Sequence, residues 1–174
     1  MATKPAWLPA LISVNGSPEE IFARLYEIFE TDFKQTRLSL EAKPVRWDTR
    51  ILEGKYEEGF WHLITKQDRD TQERLLDSRR AERISWCAPS IKNFKDQAIK
   101  AWDYEESKKR IRTYLWLEEF DYVVILEQRE QRGQEIVFLI TAFHVDGEST
   151  RRGLRRKYEN RLGERQPPLF KGGG

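Results

Sequence analysis

Apolar side chains at Ile21, Phe22, Leu25, Ile28 and Phe29 recur three and four residues apart, which predicts a helix with a single apolar stripe. Its start is written in Ser17-Pro18-Glu19-Glu20: Ser at the N-cap, Pro at the first helical position and Glu three residues past the cap. Ahead of it, Pro5, Pro9 and Gly16 surround Trp7, Leu8, Leu11 and Ile12, the pattern of an arm packed loosely on the body. From 37 to 66 the pattern becomes strand-like, broken by Pro44 and Gly54, with 45–50 and 60–65 as the best strands. Residues 68–86 are charged, with Leu75, Leu76 and Ile84 as sparse anchors, and read as a short helix plus a turn. Pro89 restarts the chain, and 90–104 predicts a helix with Ile91, Phe94, Ala98, Ile99 and Trp102 inward.

The last third is rich in β-branched and aromatic residues and predicts strands at 110–118, 122–128 and 135–145. Gly133 sits in a polar turn between the last two, so they form an antiparallel hairpin. A basic helix (Arg151, Arg152, Arg155, Arg156, Lys157) follows over 148–162 and stops at Gly163. The tail from Pro167-Pro168 to Gly174 reads as disordered. Helices first and an antiparallel sheet later indicate an α+β fold: N-terminal helices, a sheet of four strands or slightly more, and a basic C-terminal helix. The organisation expected is an arm (1–16), one domain (17–163) and a tail (164–174).

Composition narrows the function. At 174 residues, 12% of them aromatic, the chain can bury a core without disulfides or metal. Charged residues make up 34%, yet the net charge is only +2, so any affinity for nucleic acid depends on where the cations sit. Cys87 is alone and reads as a small semi-buried thiol of a reducing compartment. No apolar run approaches the roughly 20 residues of a membrane span, and Met1-Ala-Thr-Lys-Pro lacks a signal peptide's apolar core. The expectation is a cytoplasmic protein with no membrane contact. There is no glycine-rich phosphate loop and no Gly-x-Ser-x-Gly elbow; His and Cys are not at metal-ligand spacing, so neither cofactor nor metal is expected.

What remains is metal-independent acid–base chemistry, or binding alone. His62 and His144 are the two side chains that titrate near neutrality. Cleaving RNA without metal requires a base for the 2′-hydroxyl, an acid for the departing 5′-oxygen and a cation for the phosphorane. His62, between Trp61 and Leu63 in a predicted strand, suits the first role if desolvation lowers its pKa; otherwise it is a structural histidine. Strict alternation over 137–144 sets Thr141 and His144 on opposite faces unless a bulge intervenes, so only one of the two can serve a flat site.

Cations supply the rest. Arg79 and Arg83, or Arg80 and Arg83, share a helical face and can clamp a phosphate, or simply form a solvated face with Asp77 and Glu82. Arg151 with Arg155, and Arg152 with Arg156, stack at i, i+4, an arrangement relieved by an anionic partner. On 110–118, Arg112, Tyr114 and Trp116 face away from Ile111, Thr113, Leu115 and Leu117. That aromatic, basic face is either a half-exposed RNA-binding surface or an ordinary sheet face.

Four stretches taken together carry a resemblance: Gly59-Phe-Trp-His-Leu-Ile-Thr65, Asp77-Ser-Arg-Arg-Ala-Glu-Arg-Ile-Ser-Trp86, Tyr122-Val-Val-Ile-Leu126 and Phe138-Leu-Ile-Thr-Ala-Phe-His-Val145. Over roughly 50–160 the chain resembles the barnase–EndoU–colicin–RelE superfamily of RNases, most closely its phage and mobile-element branch. The resemblance implies N-terminal helices, a four-stranded antiparallel sheet, an early strand-borne His and a basic terminal helix. It implies His62 as acid/base, Arg80 or Arg83 as the phosphate-stabilising cation and Thr141 as a hydroxyl contacting substrate. The second acid/base group is left to His144 or a carboxylate such as Glu58. The expected activity is that of an endoribonuclease, a toxin or mobile-element effector with RNA as substrate and an antitoxin or other protein as partner. The alternative is a catalytically silent RNA-binding or protein-interaction module on the same scaffold.

Overall fold

The computed structural model describes residues 2–163, so the expected tail lies outside the described residues. The first helix, α1 (Pro18–Phe29), starts as its sequence dictates: Ser17 Oγ accepts from the Glu20 amide, and Ile21, Leu25 and Phe29 are buried. It runs on into a π-helical segment, Glu30–Lys34. Two short strands, β1 (Ser39–Leu40) and β2 (Lys43–Arg46), lead to helix α2 (Glu58–Ile64). Next come a small hairpin, β3 (Thr65–Gln67) with β4 (Arg74–Leu76), and the helices α3 (Ser78–Ala81) and α4 (Ile84–Lys92). Strands β5 (Lys100–Ser107), β6 (Arg110–Leu117), β7 (Tyr122–Gln131) and β8 (Gln134–His144) form an antiparallel meander, and α5 (Gly147–Glu159) closes the described chain.

The main sheet has six strands in the order β1-β2-β8-β7-β6-β5. It is the expected α+β fold with a mixed sheet, because β2 lies parallel to β8, pairing Val45 with Val137. The β7–β8 hairpin turns on Arg132-Gly133, both at positive φ (50° and 76°), as a two-residue turn between twisted strands requires. One face of the sheet packs Leu115, Val124 and Val137 against Leu25, Phe29, Phe60, Leu63 and Ile91 of the helices. The other face packs Trp102, Tyr114, Trp116 and Val123 against Leu154 of α5. Among the described residues no helix is long and apolar enough to cross a membrane.

Five expectations change, the first being that 68–86, read as a short helix plus a turn, carries strand β4 and the start of α4 on either side of the short helix α3. Residues 60–65 are mostly helix, not strand: in α2 nearly every side is covered, with Glu58, Gly59, Phe60, Leu63 and Ile64 buried. Gly59 allows this close approach, since a Cβ there would lie 2.8 Å from a Trp47 ring carbon. The helix expected over 90–104 splits into the end of α4 and the start of β5. Ile91 belongs to the first core and Trp102 to the second, so a sheet separates what looked like one stripe. The strand expected at 45–50 stops at Arg46. The N-terminal arm is not loose: Leu8 is buried, Trp7 Nε1 donates to Asp96, Trp86 Nε1 donates to the Pro9 carbonyl, and the Ile12 amide donates to that of Glu82.

Candidate active site

Helix α2 and the hairpin that follows it enclose a cavity of about 840 Å³ against β8. His62, Thr65, Lys66, Arg74, Arg80 and Thr141 are among the side chains that line it. His62 is therefore helix-borne rather than strand-borne, a departure from the expectation, and its side chain keeps 40% of its surface in solvent. The change of element brings a partner. On a helix, residue 58 lies one turn behind residue 62, and Glu58 Oε2 sits 3.7 Å from His62 Nε2.

Glu58 is buried and is held by Arg74, whose Nη2 donates to the same oxygen at 2.7 Å. The result is a line of cation, carboxylate and imidazole. Desolvation pulls the His62 pKa below its ordinary value; Glu58 and Asp48 oppose that shift, while Arg74 and Arg50 add to it. A neutral imidazole with an unprotonated nitrogen at neutral pH is the form a general base needs. Two buried atoms of the line, His62 Nδ1 and Arg74 Nη1, have no hydrogen-bond partner among the described residues.

Arg80 is positioned with care. Asp77 N-caps α3 through the amides of Arg79 and Arg80 and faces Arg80 Nε at 3.6 Å. Arg80 Nη1 donates to the Thr65 carbonyl at 2.8 Å, and its guanidinium stands 5.2 Å from the Phe143 ring centroid. Burial lowers its pKa, and Asp77 and Tyr122 oppose the shift, but a guanidinium stays charged in water-accessible protein. Thr141 reaches the same cavity and donates its hydroxyl to the His62 carbonyl at 3.0 Å, tying the end of α2 to β8. Its lone pairs remain for a ligand; its proton does not.

His62, Arg80 and Thr141 thus meet in one open hollow, and Arg83 and His144 do not join them. Arg83 is buried beside Trp86, its Nη1 donating to Glu82 and to the Arg79 carbonyl, so it serves the fold rather than the hollow. His144 lines an adjoining cavity with Arg79 and Phe143. Its pKa is lowered by desolvation and by Arg83 and Arg79, against Asp121 and Asp146. A bulge is present, but ahead of Thr141: Ile125 pairs with Thr141 and Leu126 with Leu139, which leaves Ile140 unpaired, while pairing from Thr141 to His144 is regular and keeps those two on opposite faces. Leu139 and Ala142, three apart, consequently face the same core.

The aromatic, basic face of β6 is not a binding surface. Tyr114 and Trp116 are 1% and 0% exposed in the second core, where Tyr114 stacks on Trp102 at 5.0 Å. Arg112 is paired with Glu127 at 3.1 Å. On α5, Arg151 is paired with Asp121 and Glu148, and Arg155 with Glu148 and Glu118. Arg74 and Lys66 carried no signal in the sequence, whereas Glu58 was legible as an i, i+4 partner of His62 once the segment is read as helix.

Comparison of the chain with family models, with curated proteins and with solved structures finds no match.

Proposed function

We propose that this cavity is the active site of a metal-independent endoribonuclease of the barnase–EndoU–colicin–RelE kind, acting in the cytoplasm as a toxin or mobile-element effector. The observation that carries the proposal is the convergence of an imidazole, an uncommitted edge of a guanidinium and a threonine hydroxyl on one solvent-open hollow. The four-stranded meander and the basic helix after it support the same reading, although the imidazole comes from a helix.

In the proposed step His62 takes the proton of the 2′-hydroxyl. The 2′-oxygen bonds to phosphorus as the bond to the 5′-oxygen breaks, leaving a cyclic phosphate. Arg80 and Arg74 face the charge that builds on the non-bridging oxygens. Glu58 keeps the ring oriented and stabilises the imidazolium once it forms. Solvent entering the open cavity protonates the departing oxygen, because no second imidazole shares the hollow. One titrating base gives a rate that climbs with pH and then levels off below about 6.5, since the His62 pKa is depressed.

Incubation with single-stranded RNA in EDTA, parent against His62→Ala, is the decisive experiment. Cleavage should persist without metal and fall by about a hundredfold or more in the variant, the usual loss for a general base. Cleavage that needs added metal, or a variant as active as the parent, removes the mechanism and leaves a binding module.

A further inference from the structure

Beside the proposed active site lies a second cavity of about 470 Å³, lined by Lys66, Arg69, Arg79, Arg80, Phe143 and His144 together with Asp77, Asp146 and Thr150. Lys66 and Arg80 belong to the walls of both cavities, so the two hollows are neighbours across one pair of cations. The charge in the second is lopsided. Four cations face two carboxylates, and Asp77 is already committed to the amides of α3 and to Arg80.

Many cations among the described residues are neutralised at close range. Arg50, Arg110, Arg112, Arg129, Arg151, Arg155 and Lys157 each have a carboxylate within hydrogen-bond reach. Lys66, Arg69 and Arg79 are different: among the described residues none of the three is within 4.0 Å of a carboxylate, and all three are exposed. Like charges gathered without counter-ions repel one another, and the repulsion is relieved when an anion enters. Arg80 stands at the junction, braced from behind by Phe143 and the Thr65 carbonyl.

From this arrangement we infer that the second cavity is a phosphate subsite for the next stretch of a single-stranded polynucleotide whose scissile phosphate lies in the first. Lys66 and Arg80 hold the backbone between the two hollows, and Arg69 and Arg79 clasp the phosphate beyond. The substrate is accordingly an extended strand that offers two or more phosphates at once, rather than a mononucleotide or a free phosphate. The assignment rests on the reading of the first cavity as a site for RNA.

The test uses the full chain and a probe that cannot be cut by the proposed chemistry: oligothymidylate, which has no 2′-hydroxyl, as a dinucleotide and as a hexanucleotide. Affinity for each is measured by titration at several salt concentrations. The hexanucleotide should bind the parent about tenfold or more tighter than the dinucleotide. In an Arg69→Ala/Arg79→Ala double variant that advantage should shrink to about twofold, and the salt dependence should flatten by about 1.4 in log–log slope, two contacts at about 0.7 each. Both positions are exposed, and an unchanged melting temperature verifies that the variant is folded. Equal affinity of the parent for both lengths, or a double variant that keeps the length advantage, overturns the inference. Length-dependent binding by a protein that cuts no RNA in EDTA leaves the subsite standing and removes only the catalytic reading.

Discussion

Two parts of this molecule are equally rich in arginine, and they are not equivalent. On α5, Arg151, Arg155 and Lys157 reach Asp121, Glu148, Glu118 and Glu106, so the side of this basic helix that meets the sheet is neutralised, while Arg152 and Arg156 are exposed, away from any base or cavity described above. Around α2, α3 and the β3–β4 hairpin, Lys66, Arg69 and Arg79 stand without close counter-ions beside an imidazole and an open cavity. A run of cations along the chain therefore does not locate an anion site. What locates it is positive charge that the fold leaves uncommitted next to a hollow and a titratable base.

The strongest way to break this comparison is Arg80→Met, which removes one of the two cations shared by both hollows, the one braced by the Thr65 carbonyl, Phe143 and Asp77. The expected fall in kcat/KM for RNA is about a hundred- to a thousandfold, the scale seen when a transition-state charge loses a preorganised donor. Part of any change is structural, since the Thr65 carbonyl loses its partner, a cost of about 1–3 kcal/mol when the acceptor is buried. Single-turnover rates on folded protein separate the two effects. A rate within about threefold of the parent moves the phosphate site elsewhere.

Glu58 and Arg74 sharpen the comparison through pH. Glu58 raises the His62 pKa and Arg74 lowers it. Glu58→Gln removes the raising charge and releases Arg74, so the inflection in the pH–rate profile should move to more acid pH. Arg74→Gln does the opposite: it removes a lowering charge and leaves Glu58 to the imidazole alone, which moves the inflection to more alkaline pH. Each variant should also lose activity, about tenfold, Glu58→Gln because the ring loses its orientation and Arg74→Gln because the phosphate loses a cation. Arg74→Gln carries a stability cost of about 3 kcal/mol because it strands a buried carboxylate, so the ring titration is read by NMR on the folded fraction. Shifts in the same direction for both variants would detach the pair from the histidine.

Much of the fold is legible where one face repeats. Ser17 and the stripe from Ile21 to Phe29 announce α1, which buries one face, whereas β6, β7 and β8 lie between two cores and are announced by their β-branched and aromatic content. Where an element is covered on nearly every side the period disappears. Gly59-Phe-Trp-His-Leu-Ile reads as strand by composition and folds as α2, since Phe60, Leu63 and Ile64 are all buried. A period can also be false, as when Ile91 and Trp102 serve opposite faces of a sheet. His62 and Arg80 were legible because their chemistry is rare or repeated nearby, and Thr141 through the resemblance alone. Arg74, Lys66 and the bulge at Ile140 were not, because they depend on a hairpin and a register slip that no local pattern encodes.

The smallest expected effect tests the comparison from the other side. Arg151→Ala and Arg155→Ala on α5 each break ion pairs that are partly open to water, worth about 0.2–1 kcal/mol. They should lower the melting temperature slightly and leave affinity for single-stranded RNA within about twofold. Releasing Glu118, Glu148 and Asp121 adds negative charge only around α5, and screening confines it to about a Debye length, about 8 Å at physiological salt. If these substitutions weaken RNA binding as much as Arg69→Ala and Arg79→Ala do, strand contact extends across α5 and the ion pairs there open on binding. Pairing in the free protein would then be no guide to where an anion lands, and the contrast between the two basic regions would fail with it.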